Sequence, residues 1–306
     1  MLQRVLSLFQ PMHPGIALSL WWQVGLLAIS LAAYPFDRRL IMGVNPWLKP
    51  MKFEISVMIF LLTTGLLLAH LEQTNAATNL GTAWRQAASV AGWTIGISMI
   101  FENTLIALQS ARGLRSHMNY ATAFDTGVFG VMALFILLNT LALAALLVLY
   151  LGPKSGLAWP AAVTAGARLG LAILIWGSVE GVAMVTRQQH LVGTPDNGEG
   201  VPFLNWSTTH GDLRIAHFFG LHAIQFLMLL GYLISRTRIP RLLQTTTVTA
   251  VALAYMAGCY WLYRTALQGQ SPLPSTVQLR SESGAIDPPP MSMTPRLEAM
   301  PQKYHP

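Results

Sequence analysis

Seven apolar segments, each about twenty residues long or longer, dominate the chain and alternate with more polar stretches. A helix needs about 20 mostly apolar residues to cross the roughly 30 Å hydrocarbon core of a bilayer. Only 10% of the 306 residues are charged, whereas a soluble domain carries about 25%. The sequence therefore excludes an ordinary soluble enzyme and predicts a multi-pass membrane protein.

The fold class follows from the need to pair every backbone polar group inside the bilayer. Lipid offers the backbone no hydrogen bonds, so only helices or closed barrels span it, and the alternating ten-residue segments of a barrel are missing. We predict an all-α integral membrane protein, a bundle of seven transmembrane helices with a disordered C-terminal tail. The predicted spans are residues 16–36, 53–71, 87–109, 126–151, 161–186, 213–234 and 246–267.

Composition divides the chain into three parts. Residues 1–15 are an N-terminal segment without the pattern of a cleavable signal peptide, so we expect the first span to be retained. Residues 16–267 form the transmembrane domain, with a long loop at 187–210. Residues 268–306 are rich in Pro, Ser and Gln, and such a segment is predicted to stay disordered because it buries too little apolar surface. The single cysteine, Cys259, allows neither a disulfide framework nor a cysteine metal cluster.

Seven spans define two sides of the membrane. Side A holds the N-terminus and the loops after spans two, four and six, and side B holds the other loops and the tail. More Lys and Arg residues lie on side B, which favours side B as the cytoplasmic side, although Arg236, Arg238 and Arg241 on side A argue for the reverse. We interpret the net charge of +7 as topology information and expect no nucleic-acid partner.

Ionisable residues within the spans gather toward side B. Each costs several kcal/mol near the bilayer centre, so each is a functional hypothesis by default. Counting about 1.5 Å per helical residue places six of them in the half of the bilayer nearer side B. They are Glu54, Glu102, Asp125, Glu180, His217 and His222. We therefore predict a polar cavity that opens on side B, with the 187–210 loop as its cover through Phe203, Asn205 and Trp206.

The catalytic candidates are Glu102, Glu180, His217 and His222, with Glu102 and His217 as the leading acid–base or ligand pair. A carboxylate beside an imidazole suits general acid–base catalysis, a metal or a proton relay. His217 and His222 are five residues apart, about 140° around a helix, so they cannot bind one ion from a single face. The structural alternative is that each histidine only hydrogen-bonds a neighbouring helix.

The predicted substrate-binding residues lie in the side B loops and at the start of the sixth span. Arginine guanidinium groups suit a bidentate contact with an anionic headgroup. The set consists of Arg112, Arg115, His117, Asn119, Asp212 and Arg214.

The sequence leaves the cofactor open. A transition metal bound by Glu102 and His217 is one possibility. A b-type haem is the weaker one, because His222 has no partner histidine at its depth and a loop histidine would have to fold inward. A retinal Schiff base needs an intramembrane lysine, which the spans lack away from their edges. Two small-residue motifs, at 166–170 and 177–181, predict that the fifth helix is closely approached and that Glu180 faces the interior.

Three side B segments carry a resemblance to other proteins. They read Asn-Pro-Trp-Leu-Lys-Pro-Met-Lys-Phe at 45–53, Arg-Gly-Leu-Arg-Ser-His-Met-Asn at 112–119 and Gly-Asp-Leu-Arg-Ile-Ala-His-Phe-Phe-Gly-Leu-His at 211–222. In these segments the chain resembles a group of bacterial multi-pass inner-membrane proteins with no established activity. The resemblance implies a multi-pass architecture in the inner (plasma) membrane and assigns no catalytic role.

Two functional classes remain. The first is a membrane-embedded enzyme, or a metal or redox protein, that acts on a lipidic substrate with an anionic headgroup. The alternative is a small-molecule or proton-coupled transporter. The sequence shows no inverted repeat and no matched pair of broken helices, which are typical of many transporters, and this favours the enzyme.

Overall fold

The computed structural model describes residues 12–78, 81–152, 159–196 and 200–273. Seven helices in these ranges are long and apolar enough to cross a membrane, so the seven predicted helices are confirmed. In chain order they are α1 (Pro14–Ala33), α2 (Leu48–Thr78), α3 (Thr82–Ala111), α4 (Ala123–Leu151), α5 (Ala161–Arg187), α6 (Leu213–Ser235) and α7 (Arg241–Leu267). Residues 1–11 and 274–306, which include most of the predicted N-terminal segment and tail, lie outside the described residues.

The start of α2 differs from the prediction in a way that matters for the site. The helix begins at Leu48, five residues earlier than predicted. Pro50 is compatible with this start because the first N–H groups of a helix have no intrahelical partner. Lys49 and Lys52 therefore lie on the helix instead of in the preceding loop, and Glu54 lies about 9 Å along it instead of at its edge.

Helices α5 and α6 form the most extensive helix pair of the bundle. Glycines on α5 allow the contact: a Cβ atom added to Gly177 would lie 2.7 Å from the backbone of Gly220, and one added to Gly170 would lie 2.6 Å from that of Ile224. The predicted close approach to the fifth helix is confirmed. Glu180 is only 6% exposed, which also confirms its interior position.

The apolar residues of the bundle divide between a core and an outer surface. Ile16, Leu61, Ile95, Leu143 and Leu171 belong to one fully buried cluster that joins the first five helices. Large apolar side chains also cover the outside. On α4, six of them are between 52% and 68% exposed, namely Phe124, Leu134, Leu137, Leu141, Val148 and Leu151. An exposed apolar surface of this extent is typical of a protein that contacts lipid or a partner.

The long loop between α5 and α6 contains the only strands among the described residues, β1 (Leu191–Val192) and β2 (Gly211–Asp212), which pair antiparallel. Gly211 permits this arrangement because its Cα lies directly against the backbone of Ala266, near the end of α7. The hydroxyl of Ser271 donates a hydrogen bond to the carbonyl oxygen of Ser207. The described part of the loop is thus attached to the side B end of the bundle.

Candidate functional site

A chain of three polar side chains lies at the side B end of the bundle. The Lys49 ammonium nitrogen is 3.2 Å from Nδ1 of His117, and Nε2 of His117 is 3.3 Å from a carboxylate oxygen of Glu102. Glu102 is 3% exposed, and its second oxygen has no hydrogen-bond partner among the described residues. A cation, an imidazole and a buried carboxylate therefore stand in series.

His117 reaches this position because the loop after α3 folds back into the bundle. Glu102 lies about 13 Å along the helix from its end at Ala111, so a straight exit could not bring His117 near it. The chain reverses at Gly113 and Met118, which both have positive φ. Asn119 closes the turn, since its side chain donates to the Arg115 carbonyl and accepts from the Ala121 amide.

The surroundings of His117 favour a neutral ring. Its imidazole lies 6.0 Å from the ring of Phe53 and 6.1 Å from that of Phe129, measured between centroids. Burial and the neighbouring charge of Lys49 hold the pKa of His117 well below its usual range. A neutral ring that accepts from Lys49 at Nδ1 carries its proton on Nε2, which faces Glu102.

Basic side chains surround the chain of Lys49, His117 and Glu102. Lys49 lies close enough to Lys52, Arg115 and Arg214 for their like charges to interact. The acidic groups of the same region are Glu102, Asp196 and Asp212. With the histidines neutral, the cations exceed the carboxylates, so the region attracts an anion. We call this set, together with His117, the side B cluster.

Asp212 connects the cluster to α6. Its carboxylate caps the helix by accepting from the Arg214 amide, and it also accepts from the amide of Ser207. The Arg214 guanidinium donates to both carboxylate oxygens, at 2.9 and 2.7 Å, and to the carbonyl oxygen of Asn205 at 2.6 Å. Asp212 is 1% exposed, so this pair is held in a fixed geometry below the loop.

Asp196 organises the first part of the loop. It accepts from the backbone amides of His190 and Leu191 and lies 2.7 Å from Nδ1 of His190. Arg115 donates to the same carboxylate at 3.1 Å. Burial alone would raise the pKa of Asp196, but the hydrogen bonds from His190 and Leu191 lower it to about 2. Burial lowers the pKa of His190 despite this partner.

The second part of the loop contacts the cluster from outside. Lys52 donates to the carbonyl oxygen of Leu204 at 3.1 Å, as Arg214 does to that of Asn205. Trp206 packs edge-on against Phe218 with 5.3 Å between centroids. A cleft of about 140 Å³ lies between this loop and Arg214. These are the contacts expected of a cover, although Phe203 is 49% exposed and points outward.

The other predicted catalytic residues occupy different surroundings. His217 lies near His117, but its Nδ1 bonds the carbonyl oxygen of Gly177 at 2.7 Å. His222 lies 3.0 Å from the hydroxyl of Ser56 on α2. Glu180 lies near Cys259 on α7, and neither of its oxygens has a hydrogen-bond partner among the described residues. The structure thus pairs Glu102 with His117 instead of with His217.

Two further predicted residues take part in local structure. Arg112 forms an ion pair with Asp125 and lies over the ring of Phe124 at 4.7 Å. Asp125 also accepts from Gln109 and Thr122, which stabilises the start of α4. Glu54, also on the side B half, accepts a 2.9 Å bond from Ser30 on α1.

A metal ion and a haem each need particular protein side chains as ligands. Within the described ranges, no group of three or more His, Cys, Asp or Glu side chains is arranged to hold a metal ion. A loop histidine does fold inward, as a haem would require, but both ring nitrogens of His117 face protein side chains.

Sequence reasoning missed four residues of this region. The predicted second span begins at residue 53, which leaves Lys49 and Lys52 in the preceding loop. His190 and Asp196 belong to a loop with no pattern that would distinguish them from other polar loop residues. Only the proline-containing segment around Lys49 gave a usable signal, since proline is tolerated in the first turn of a helix.

Comparison of the chain with protein-family models, with curated proteins and with solved structures gives no match.

Proposed function

We propose that this chain is a membrane-embedded enzyme that acts on a lipid with an anionic headgroup at the side B cluster. The observation that carries the proposal is the series of Lys49, His117 and Glu102, at separations of 3.2 and 3.3 Å, beneath a group of basic side chains. The seven apolar helices and the exposed apolar surface of α4 support a position in the bilayer.

The basic side chains suit an anionic headgroup. Lys52 and Arg214 each donate to a backbone carbonyl oxygen of the loop, and the oxygens of a phosphate accept from the same donors. In the proposed complex the headgroup oxygens replace the carbonyl oxygens of Leu204 and Asn205. Arg115, which is 38% exposed, is placed to make a further contact. Arg112 is engaged with Asp125 and has no role in this proposal.

The three side chains in series can move a proton without leaving a charged imidazole. His117 releases the proton on Nε2 to Glu102 and accepts one from Lys49 at Nδ1, so the ring only exchanges one neutral tautomer for the other. Lys49 becomes a neutral amine that can accept a proton from the substrate, and the reverse transfer restores the ammonium. Positioned proton transfer of this kind contributes roughly 10²–10⁴-fold to a rate.

His217 and His222 are positioning residues in this proposal. Each hydrogen-bonds an adjacent helix, and this fixes the side B half of α6 against α5 and α2. We assign the proton transfer to Lys49, His117 and Glu102, which stand in series.

We place side B on the cytoplasmic face of a bacterial inner membrane. The support is the excess of basic residues on that side and the resemblance of the three side B segments.

Lipid analysis tests the proposed function. Membranes of cells that produce the wild type should show conversion of one class of anionic lipid, detected by mass spectrometry of lipid extracts. His117→Gln and Glu102→Gln should lower the conversion at least about 100-fold, because each interrupts the proton path. His70→Gln, a buried histidine at the other end of the bundle, is the matched control and should keep the activity. Unchanged anionic lipids in the wild type, or an active His117→Gln, would contradict the proposal.

A proton-coupled carrier is the second candidate, and one observation favours it. Buried side-chain oxygens without a hydrogen-bond partner among the described residues line α1, α2 and α3, at Ser19, Glu54, Ser98 and Asn103. Buried polar groups inside a transmembrane bundle are typical of proton paths. Vesicles containing the purified protein and a pH-sensitive dye separate the two functions, since the enzyme gives no proton uptake when a membrane potential is imposed and the carrier does.

A further inference from the structure

A groove on the outside of the bundle lies between α3 and α4 and has a volume of about 320 Å³. Val90, Trp93 and Ile97 line it from α3, and Phe135 and Leu138 line it from α4. The α3 residues are 63%, 41% and 40% exposed. The groove therefore opens away from the bundle, toward the region that lipid occupies in the proposed membrane.

Along the helices, the groove lies next to the side B cluster and deeper than Glu102. From the side B end of α3, Glu102 lies about 13 Å along the helix, while Ile97 and Val90 lie at about 21 and 32 Å. From the side B end of α4, Phe135 and Leu138 lie at about 18 and 22 Å. The groove thus begins roughly 5 Å deeper than Glu102 and continues toward side A.

An apolar surface leads from the groove toward the side B cluster. Phe101 precedes Glu102 in the chain and stacks on Phe135 with 4.2 Å between ring centroids. It lies one helical turn nearer side B than Ile97, on the same face of α3. The same two helices also hold His117, since Glu102 on α3 and Phe129 on α4 both contact its ring.

We propose that this groove binds the acyl chain of the lipid whose anionic headgroup is bound at the side B cluster. The inference rests on the proposed function and specifies the substrate as an acyl-chain lipid with an acidic headgroup. A cationic, polar site with an apolar groove deeper along the helices fits a molecule that is acidic at one end and apolar along its length. A water-soluble anion would use the cluster alone.

Native mass spectrometry of the purified full chain tests the groove. The probes are dioleoyl phosphatidate and, as the zwitterionic comparison, dioleoyl phosphatidylcholine. We expect the wild type to retain one phosphatidate in preference to phosphatidylcholine. Ile97→Trp and Leu138→Trp fill the groove from its two walls and should each weaken phosphatidate binding at least tenfold. Leu141→Trp is the matched control, because Leu141 is 57% exposed on α4 and is not among the lining residues.

Lys52→Gln separates this inference from the proposed function, since it removes a proposed headgroup contact and leaves the groove intact. Loss of phosphatidate in Lys52→Gln and in both groove variants supports the inference. If Lys52→Gln loses the lipid while both groove variants bind as the wild type does, the groove is not the acyl site and the proposed function stands. If Lys52→Gln binds normally, the headgroup site fails and the inference fails with it. Thermal unfolding of each variant shows whether it is folded.

Discussion

Two histidines at opposite ends of the bundle, the buried His70 and the half-buried His117, have partners of different kinds. His70, toward side A, lies 2.9 Å from the hydroxyl of Tyr150, and its ring stacks on Trp159 with 3.9 Å between centroids. His117, toward side B, lies between the ammonium of Lys49 and the carboxylate of Glu102. A hydroxyl and an indole surround the first ring, whereas charged groups of opposite sign flank the second.

Burial of a histidine inside the bundle therefore does not by itself indicate a catalytic role. A phenol and an indole fix the orientation of the His70 ring but give a proton no favourable destination, because neither neighbour ionises readily near neutral pH. A cation and a carboxylate on opposite nitrogens of His117 allow a proton to pass through the ring. The charge of the partners therefore distinguishes a packing histidine from a candidate catalytic one.

The largest loss in the free energy of unfolding should come from a substitution in the side B cluster. Asp212→Ala removes the cap of α6 and leaves the Arg214 guanidinium without its carboxylate, and loss of one partner from a buried pair typically costs several kcal/mol. We expect a loss of roughly 3 kcal/mol, since Arg214 is partly exposed. Denaturant unfolding in detergent micelles measures it. Asp37→Ala, which breaks a pair with the half-exposed Arg39 and a bond from the Trp47 indole, is the control and should cost less. Equal losses in the two variants would show that the side B network is not specially important for stability.

The pH dependence of stability should also come from the side B end. Burial lowers the folded-state pKa of both His117 and His190, while an unfolded histidine titrates near about 6.5. As pH falls below that value the unfolded chain takes up protons that the folded chain does not. Stability therefore decreases on acidification, by up to about 1.4 kcal/mol per pH unit for each residue.

Thermal unfolding between pH 7 and pH 5 measures this slope. His117→Gln should have a smaller slope than the wild type, whereas Thr126→Ala, at an exposed position on α4, should keep the full slope. A wild-type unfolding temperature that is constant over this range would show that neither histidine is held neutral.

The smallest loss in the free energy of unfolding is expected at His70, toward side A. His70→Leu removes the hydrogen bond to Tyr150, but the Tyr150 hydroxyl keeps its bond to the Leu67 carbonyl. A single net hydrogen bond is worth about 1 kcal/mol, so we expect a loss of that size with lipid binding unchanged. His117→Leu, the matched change at side B, should abolish lipid conversion. If His70→Leu also abolishes conversion, the contrast between the two histidines is wrong.

The sequence allowed the helices and the interior position of Glu180 to be predicted, because both depend on regular spacing. An apolar run of sufficient length specifies a helix wherever its neighbours lie. The glycines of α5, spaced four apart, specify the face that another helix approaches closely. Glu180 follows Gly177 and precedes Gly181 on that helix, and it is accordingly 6% exposed.

The partners of Glu102 could not be predicted in the same way. Spacing along α3 gives the depth of Glu102 but says nothing of where the following loop goes. The loop reverses at Gly113 and Met118, and this brings His117 back to a level that a count along the helix would assign to His217. Likewise, Arg112 was a reasonable headgroup ligand until the start of α4 placed Asp125 against it.

The sequence by itself determined that this chain forms seven apolar helices and that its ionisable residues gather toward one end, because hydrophobic length and helical rise depend only on local order along the chain. Tertiary structure decided which of those residues meet. It placed Lys49, His117 and Glu102 in series and directed His217 to the Gly177 carbonyl. Contacts between helices depend on loop reversals and helix rotation, and those are set by packing between segments distant in the sequence.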